Sequence, residues 1–571
     1  MKNFFKKHIS KLIISLFICT IFFTSFNIYT VVTPNKKNNQ SITTLNPCNS
    51  TNNNYEIKQQ NKIPITSNNN PYIKNSKIPK HLYVISQDYM IEEEKTMIAT
   101  LQGLISNRSE SQIYTLNSLQ PDYKIWLEDL KNHYGVTYEL VENPWTLIKK
   151  FRPFIHGYVL YSRNSLKDPS INNACSLASL KNCIAIDRNL EGLVRNCGIT
   201  NIVKDCRNTD KNWAYDNLWN SGLNHSTVIE LSPSKAVALR DYAIMTKSLI
   251  FYEDSVSDKT LREKVFKSMK TNGICLGWGP DEHENVSITS KYGISMVASD
   301  WSYNLTVLSA FPSNPIKQKP SKKIKKEDNV HYVTIVMSDG DNQQWLLGSN
   351  YNSPKWYGSP NRGQFNMGWT ISPSLYYLAP TVFKEYYKDA STGLNKDDFL
   401  VPPSGMGYIY PSKFPKNKLK TYTKSLNKYM KNVDENYAVI IDDDSFYDNK
   451  IWNKFTCHSN IDGLFYLNYH RHDDYHGKIS WSNNKPIVSC RDLLWHELED
   501  ENTLIQNIND RIEKGYTNVK DPNAYTFIYV HAWSKDMNNI KNVVDKLNKN
   551  SKVRVVSPDS FMKLIKENIP H

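Results

Sequence analysis

From residue 333 onward, short β-branched and aromatic runs return about every 31 residues, at 333–337, 368–371, 399–401, 437–441, 463–467, 486–489, 526–530 and 553–556. A recurrence of that length is one strand plus one crossover helix. Between the runs, Met537, Ile540, Val543, Val544 and Leu547 share one helical face, and Ile505, Ile508 and Ile512 share another. Eight such units predict an α/β fold with a C-terminal (β/α) barrel-like domain over 330–571, irregular or seven-stranded as readily as regular. An open doubly wound sheet is the alternative.

The same alternation occupies the preceding part of the chain. Strand-like runs at 81–85, 138–141, 157–161, 183–186, 248–251 and 274–277 are interleaved with helical spacing such as Met97, Ile98, Leu101 and Leu104. This predicts an N-terminal α/β domain over 80–312. Residues 313–329 hold six Lys and two Pro, the composition of a solvated linker.

Charge is unevenly placed along the 571 residues. Eleven Lys stand against a single acid, Glu56, before position 81, and the linker holds most of the remaining excess in a chain of net charge +14. The folded parts are then formally neutral, which argues against a nucleic-acid partner. Lys2, Lys6, Lys7 and Lys11 precede an apolar run from Leu12, the order of a secretory signal. Extended through Val32, the interrupted run is long enough to cross a bilayer. Residues 1–32 therefore act either as a cleaved signal peptide or as a signal-anchor attached to the membrane through 12–32, and the protein is expected to be secreted or at the cell surface. Residues 33–79, rich in Asn and Lys, are expected to form a disordered stalk. Cys175, Cys183, Cys197 and Cys206 lie close together in a chain expected to be exported, so one or two disulfides are expected among them.

In a barrel of parallel strands the chemistry collects at the C-terminal strand ends. Here the ends are polar: Ser338, Asp339, Gly340, Asp341 and Asn342 follow the first strand, Asp442, Asp443 and Asp444 the fourth, His470 and His472 the fifth, and His531 and Trp533 the seventh. Carboxylates converging on one mouth suit an acid and base flanking a glycosidic bond. With His they also suit a divalent metal that activates water. Trp345, Trp369, Trp495 and Trp533 lie close to strand ends, where exposed rings stack on sugars and buried ones fill the core. There is no Walker loop, HExxH or GxSxG, so no cofactor is expected and no metal site is assigned.

After the third strand stands Gly405-Met406-Gly407-Tyr408-Ile409-Tyr410-Pro411. Gly405, Gly407, Tyr408, Tyr410 and Pro411 reproduce a GxGYxYP signature, and from about residue 80 to its end the chain resembles the GxGYxYP family of glycoside hydrolases. The resemblance implies carbohydrate chemistry and carries over no catalytic pair. Asp339, Asp341 and Asp443 are the candidates for acid, base or nucleophile. Tyr408, Tyr410, Trp345, Asn342, His531 and Trp533 are candidates for holding substrate, joined by Glu284 and Asp300 from the N-terminal part. The expected function is an exported glycoside hydrolase acting on an oligosaccharide or polysaccharide. The alternatives are a metal-dependent polysaccharide deacetylase, in which His470, His472 or His531 would join the acids, and a non-catalytic glycan-binding surface protein.

Overall fold

The computed structural model describes residues 70–73, 76–319 and 324–571. The signal-like stretch 1–32 and most of the stalk lie outside the described residues. The described end of the stalk is anchored: Ile73 is buried, and the Asn70 amide donates to the Tyr377 carbonyl at 2.6 Å. Among the described residues no helix is long and apolar enough to cross a membrane.

The fold is mixed α/β with several parallel sheets. The N-terminal part holds three separate sheets. The first orders β2 (Ser111–Leu116), β1 (His81–Ser86) and β3 (Thr137–Leu140). The second orders β5 (Cys183–Asp187), β4 (Gly157–Tyr161) and β6 (Ile202–Asp205). The third orders β10 (Ser295–Ala298), β9 (Ile274–Gly277), β7 (Thr227–Glu230) and β8 (Ile250–Phe251). Most of these strands are buried along their whole length, as parallel strands covered by helices must be.

The C-terminal part does not close into a barrel of continuous ladders. One sheet runs β13 (Asp397–Leu400), β12 (Met367–Thr370), β11 (His331–Met337), β19 (Tyr525–Val530) and β18 (Asp492–Leu494), with β20 (Val553–Val555) paired to the first half of β11. The other runs β14 (Tyr437–Asp442), β15 (Gly463–Asn468), β17 (Lys485–Ser489) and β16 (Ile479–Ser482). The β16–β17 pair is an antiparallel hairpin that the spacing of apolar runs does not reveal. The sheets meet through a lone bridge between Val401 and Ala438. On the other side, Cys490 N donates to Tyr466 O and Arg491 N to Phe527 O as the chain passes from β17 to β18.

Segment 313–329 also differs from a free linker. Lys317 and Lys319 are exposed, but Ile316 N donates to Asn432 O at 2.8 Å. The Gln318 amide binds Asp434 O and Phe399 N, and Glu327 pairs with Arg554 at 2.6 Å. The expected disulfides are absent: all seven cysteines among the described residues are free, and Cys175, Cys183 and Cys206 are buried as small apolar side chains.

One buried acid carries a stability prediction. Burial raises the Glu435 carboxyl from 4.5 to about 8, against the opposing pull of the Tyr387 and Tyr429 hydroxyls that donate to it at 2.9 and 3.3 Å. An acid raised in the folded state is protonated there while its unfolded counterpart has ionised. Its contribution is full below 4.5 and is lost as pH rises toward 8. Urea midpoints should fall across that window, and Glu435→Gln should flatten the fall.

Candidate active site

The turn after β11 is shaped by backbone crowding. Gly340 N donates to Thr370 Oγ1 at 3.0 Å, and a Cβ at this position would lie 1.8 Å from the Thr370 carbonyl oxygen, so only glycine fits. Asp339 beside it takes a positive φ of 64°. Its carboxylate accepts hydrogen bonds from Trp533 Nε1 at 2.7 Å and from the Ser338 hydroxyl.

Asp341 and Glu282 lie within electrostatic reach of Asp339 and of each other. Crowding by protein, then the Asp339 charge, holds the Asp341 carboxyl well above the ordinary range. Glu282 as a whole residue is exposed, yet the protein packed around its carboxyl pushes it up to about 7, against the opposing hydrogen bond from Tyr408. Tyr529 on β19 feels the charges of all three.

Glu282 comes from the N-terminal part, and the Gly405–Pro411 motif delivers it. Tyr408 N donates to Met296 O at 2.7 Å and Met296 N to Tyr408 O at 3.0 Å, an antiparallel bridge onto β10. A side chain at position 407 would come within 2.9 Å of the Met296 carbonyl and 3.0 Å of the Ser295 Cβ, so Gly407 permits this approach. Gly405 has φ 137°, and a Cβ there would meet the Tyr422 hydroxyl at 2.8 Å. Tyr410 N donates to Ser290 Oγ at 2.9 Å, on the helix Glu282–Tyr292. The Tyr408 hydroxyl then donates to Glu282 Oε1 at 3.0 Å. The motif thus bridges onto the edge strand β10, joins the two parts and positions an acid.

Beyond Tyr410 and Tyr469 lies a second cluster. Asp443 Oδ2 meets Lys413 Nζ at 2.6 Å and His283 Nε2 at 3.3 Å, and Asp443 Oδ1 lies 3.6 Å from His470 Nε2. Burial pushes the Asp443 carboxyl up, but Lys413 and His283 more than offset it and hold it below the ordinary value. His283, Asp443 and His470 are spaced as a metal triad could be. The Lys413 ammonium, also 3.1 Å from His283 Nε2 and 2.7 Å from Ser287 Oγ, already supplies the positive charge there.

Of the residues expected from sequence, Asp339, Asp341, Tyr408, Tyr410 and Trp533 come together. Asn342 opens the helix Gln343–Gly348 beside them. His531 stacks flat on Trp495, centroids 3.8 Å apart, and burial holds its pKa below the ordinary value against the pull of Asp339. Asp443 belongs to the neighbouring cluster. Trp345 is buried and packed edge-on against Trp356 and Trp533, so it backs the Asp339 donor and offers no open face to a sugar. Glu284 turns away to ion-pair with the buried Arg262. Asp300 sits on the rim, 2.9 Å from Lys235 and 3.4 Å from the Gln344 amide. Sequence reasoning missed Glu282, His283 and Lys413.

Family models match in succession: the GxGYxYP_N 1st domain at 81–153, the GxGYxYP_N second domain at 155–223, the GxGYxYP third domain at 225–310, and the GxGYxYP putative glycoside hydrolase C-terminal domain at 329–566. The chain belongs to the GxGYxYP family. The first three matches each span one N-terminal sheet. The chain is similar to a crystal structure of a putative hydrolase from Bacteroides thetaiotaomicron, with 32% identity and a TM-score of 0.81 over 89% of this chain and 99% of that one. A comparison with curated proteins finds no match.

Proposed function

We propose that this protein is an exported glycoside hydrolase whose active site is built jointly by the third N-terminal sheet and the mouth of the C-terminal part. In this reading the two C-terminal sheets are halves of an irregular barrel, with their polar strand ends turned toward the third sheet. The observation that carries the proposal is the gathering of three neighbouring carboxyls, two of which burial raises above the ordinary range. Asp339 is held by two donors, while Glu282 is raised to about 7 and Asp341 higher still. An acid raised toward neutrality is suited to give a proton, with a neighbouring acid of the same site as its partner.

Glu282 gives its proton to the glycosidic oxygen as the bond from the anomeric carbon breaks. Asp339 faces the developing positive charge, either bonding to the anomeric carbon or taking a proton from the attacking water. Asp341, still protonated, donates a hydrogen bond to a sugar hydroxyl. Tyr408 fixes the direction of the acid.

The test is release of new reducing ends from a panel of oligosaccharides and polysaccharides, run with and without exhaustive chelation. Release that survives chelation is the expected result, because the Lys413 ammonium already pairs with Asp443 and approaches His283 in the neighbouring His/Asp cluster. Loss on chelation and recovery with a divalent ion would move the assignment to metal-assisted glycosidic cleavage, and metal-dependent release of acetate in place of reducing ends would make the protein a deacetylase. No release from any glycan would remove the glycosidase reading.

A further inference from the structure

The turns that follow β1, β2 and β10 carry three large apolar side chains in the open: Tyr89 is 88% exposed, Leu119 73% and Trp301 44%. Hydrogen bonds tie these turns into one row. The Ser118 hydroxyl and amide both donate to Asp88, which precedes Tyr89, at 3.1 to 3.2 Å. The Gln120 amide, next to Leu119, donates to the Trp301 carbonyl at 3.1 Å. The row continues toward the candidate site, because Asp300 accepts from Gln344 at 3.4 Å, three residues beyond Asp341.

We propose that this row binds a glycan chain outside the catalytic subsites, so that the substrate is a polymer and the first N-terminal sheet carries its distal subsites. The inference rests on the glycosidase reading and adds the substrate class. All three turns lie at the carboxyl ends of parallel strands, the end at which α/β sheets present ligand sites. The Lys235 ammonium sits 3.6 Å from the Trp301 ring centroid, fixing the ring while much of its surface stays open. A rigid ring with a charged pair at its edge, Lys235 and Asp300 at 2.9 Å, offers what a sugar needs: an apolar face and hydrogen-bonding partners for its hydroxyls. Three exposed side chains on separate turns, interleaved with Asp88, Gln120 and the Lys235–Asp300 pair, fit an extended glycan better than the broad apolar face of a protein partner.

The full-length protein bearing Asp339→Asn, which blocks turnover, is run in affinity gels containing soluble polysaccharides. Wild-type activity on short aryl glycosides is measured in parallel. Retardation by one polysaccharide is expected. Trp301→Ala and Tyr89→Ala in the same background should each weaken it about tenfold, as loss of one stacking contact does, with Trp301→Phe retaining part of the binding. Unchanged melting temperatures would exclude unfolding as the cause. If a polysaccharide retards all variants equally, or if aryl glycosides are cleaved while no polysaccharide retards the protein, the row is not a glycan site. If no aryl glycoside is cleaved and no polysaccharide is bound, the glycosidase reading itself fails.

Discussion

Asp339→Asn should lower turnover by about 10²- to 10⁴-fold on every substrate, whatever the leaving group. The reason lies in what surrounds the carboxylate. Trp533 Nε1 and the Ser338 hydroxyl both donate to it, and the turn that places it leaves no room for a side chain at Gly340. The substitution keeps the shape and removes the charge. An amide directs a donor as well as an acceptor toward Trp533, and it neither attacks an anomeric carbon nor takes a proton from water. The loss should therefore appear in kcat, with the melting temperature close to that of the parent. Equal activity in the variant would take Asp339 out of the reaction.

Why Asp339 and Asp341 were readable in the sequence, and Glu282 was not, follows from how each is presented. The first two stand in a Ser-Asp-Gly-Asp-Asn turn at the end of an apolar strand, where a glycine between acids marks a constrained backbone. Glu282 lies among Asp281, His283 and Glu284 at the start of a helix, where a cap accounts for acids without further function, and Asp281 does cap it, accepting from Glu284 N at 2.8 Å. Glu284, the residue expected from that group, lies apart from the proposed site for a geometric reason. Two residues along a helix turn by about 200°, so when Glu282 faces the cleft Glu284 faces Arg262. Tyr408 and Tyr410 were visible as a motif, but their task was not, because the strand they pair with lies more than a hundred residues earlier. Trp345 shows the limit of composition: a tryptophan near a strand end reads alike whether it backs a donor or faces a sugar. The barrel expectation came from spacing alone, and spacing does not report the antiparallel hairpin or the gap in the ladder between β13 and β14.

Glu282→Gln should abolish hydrolysis of glycosides with poor leaving groups, by about 10²- to 10⁴-fold, while sparing aryl glycosides whose phenolate departs without a proton. That contrast separates an acid from a merely structural residue. The same assignment fixes the pH profile. With the carboxyl at about 7 in the free enzyme, kcat/KM should fall on the alkaline side with an apparent pKa near that value, as the acid form is lost. The Tyr408 hydroxyl, by donating to Glu282, stabilises its ionised form and lowers its pKa against the larger upward push of desolvation. Removing that donor in Tyr408→Phe should therefore shift the alkaline limb to higher pH, and in Glu282→Gln the limb should vanish from the residual activity. A limb that stays in place in Tyr408→Phe would mean that another group, with Asp341 the nearest candidate, gives the proton. In that event the Gly405–Pro411 strand would hold the two parts of the protein together without tuning the acid between them.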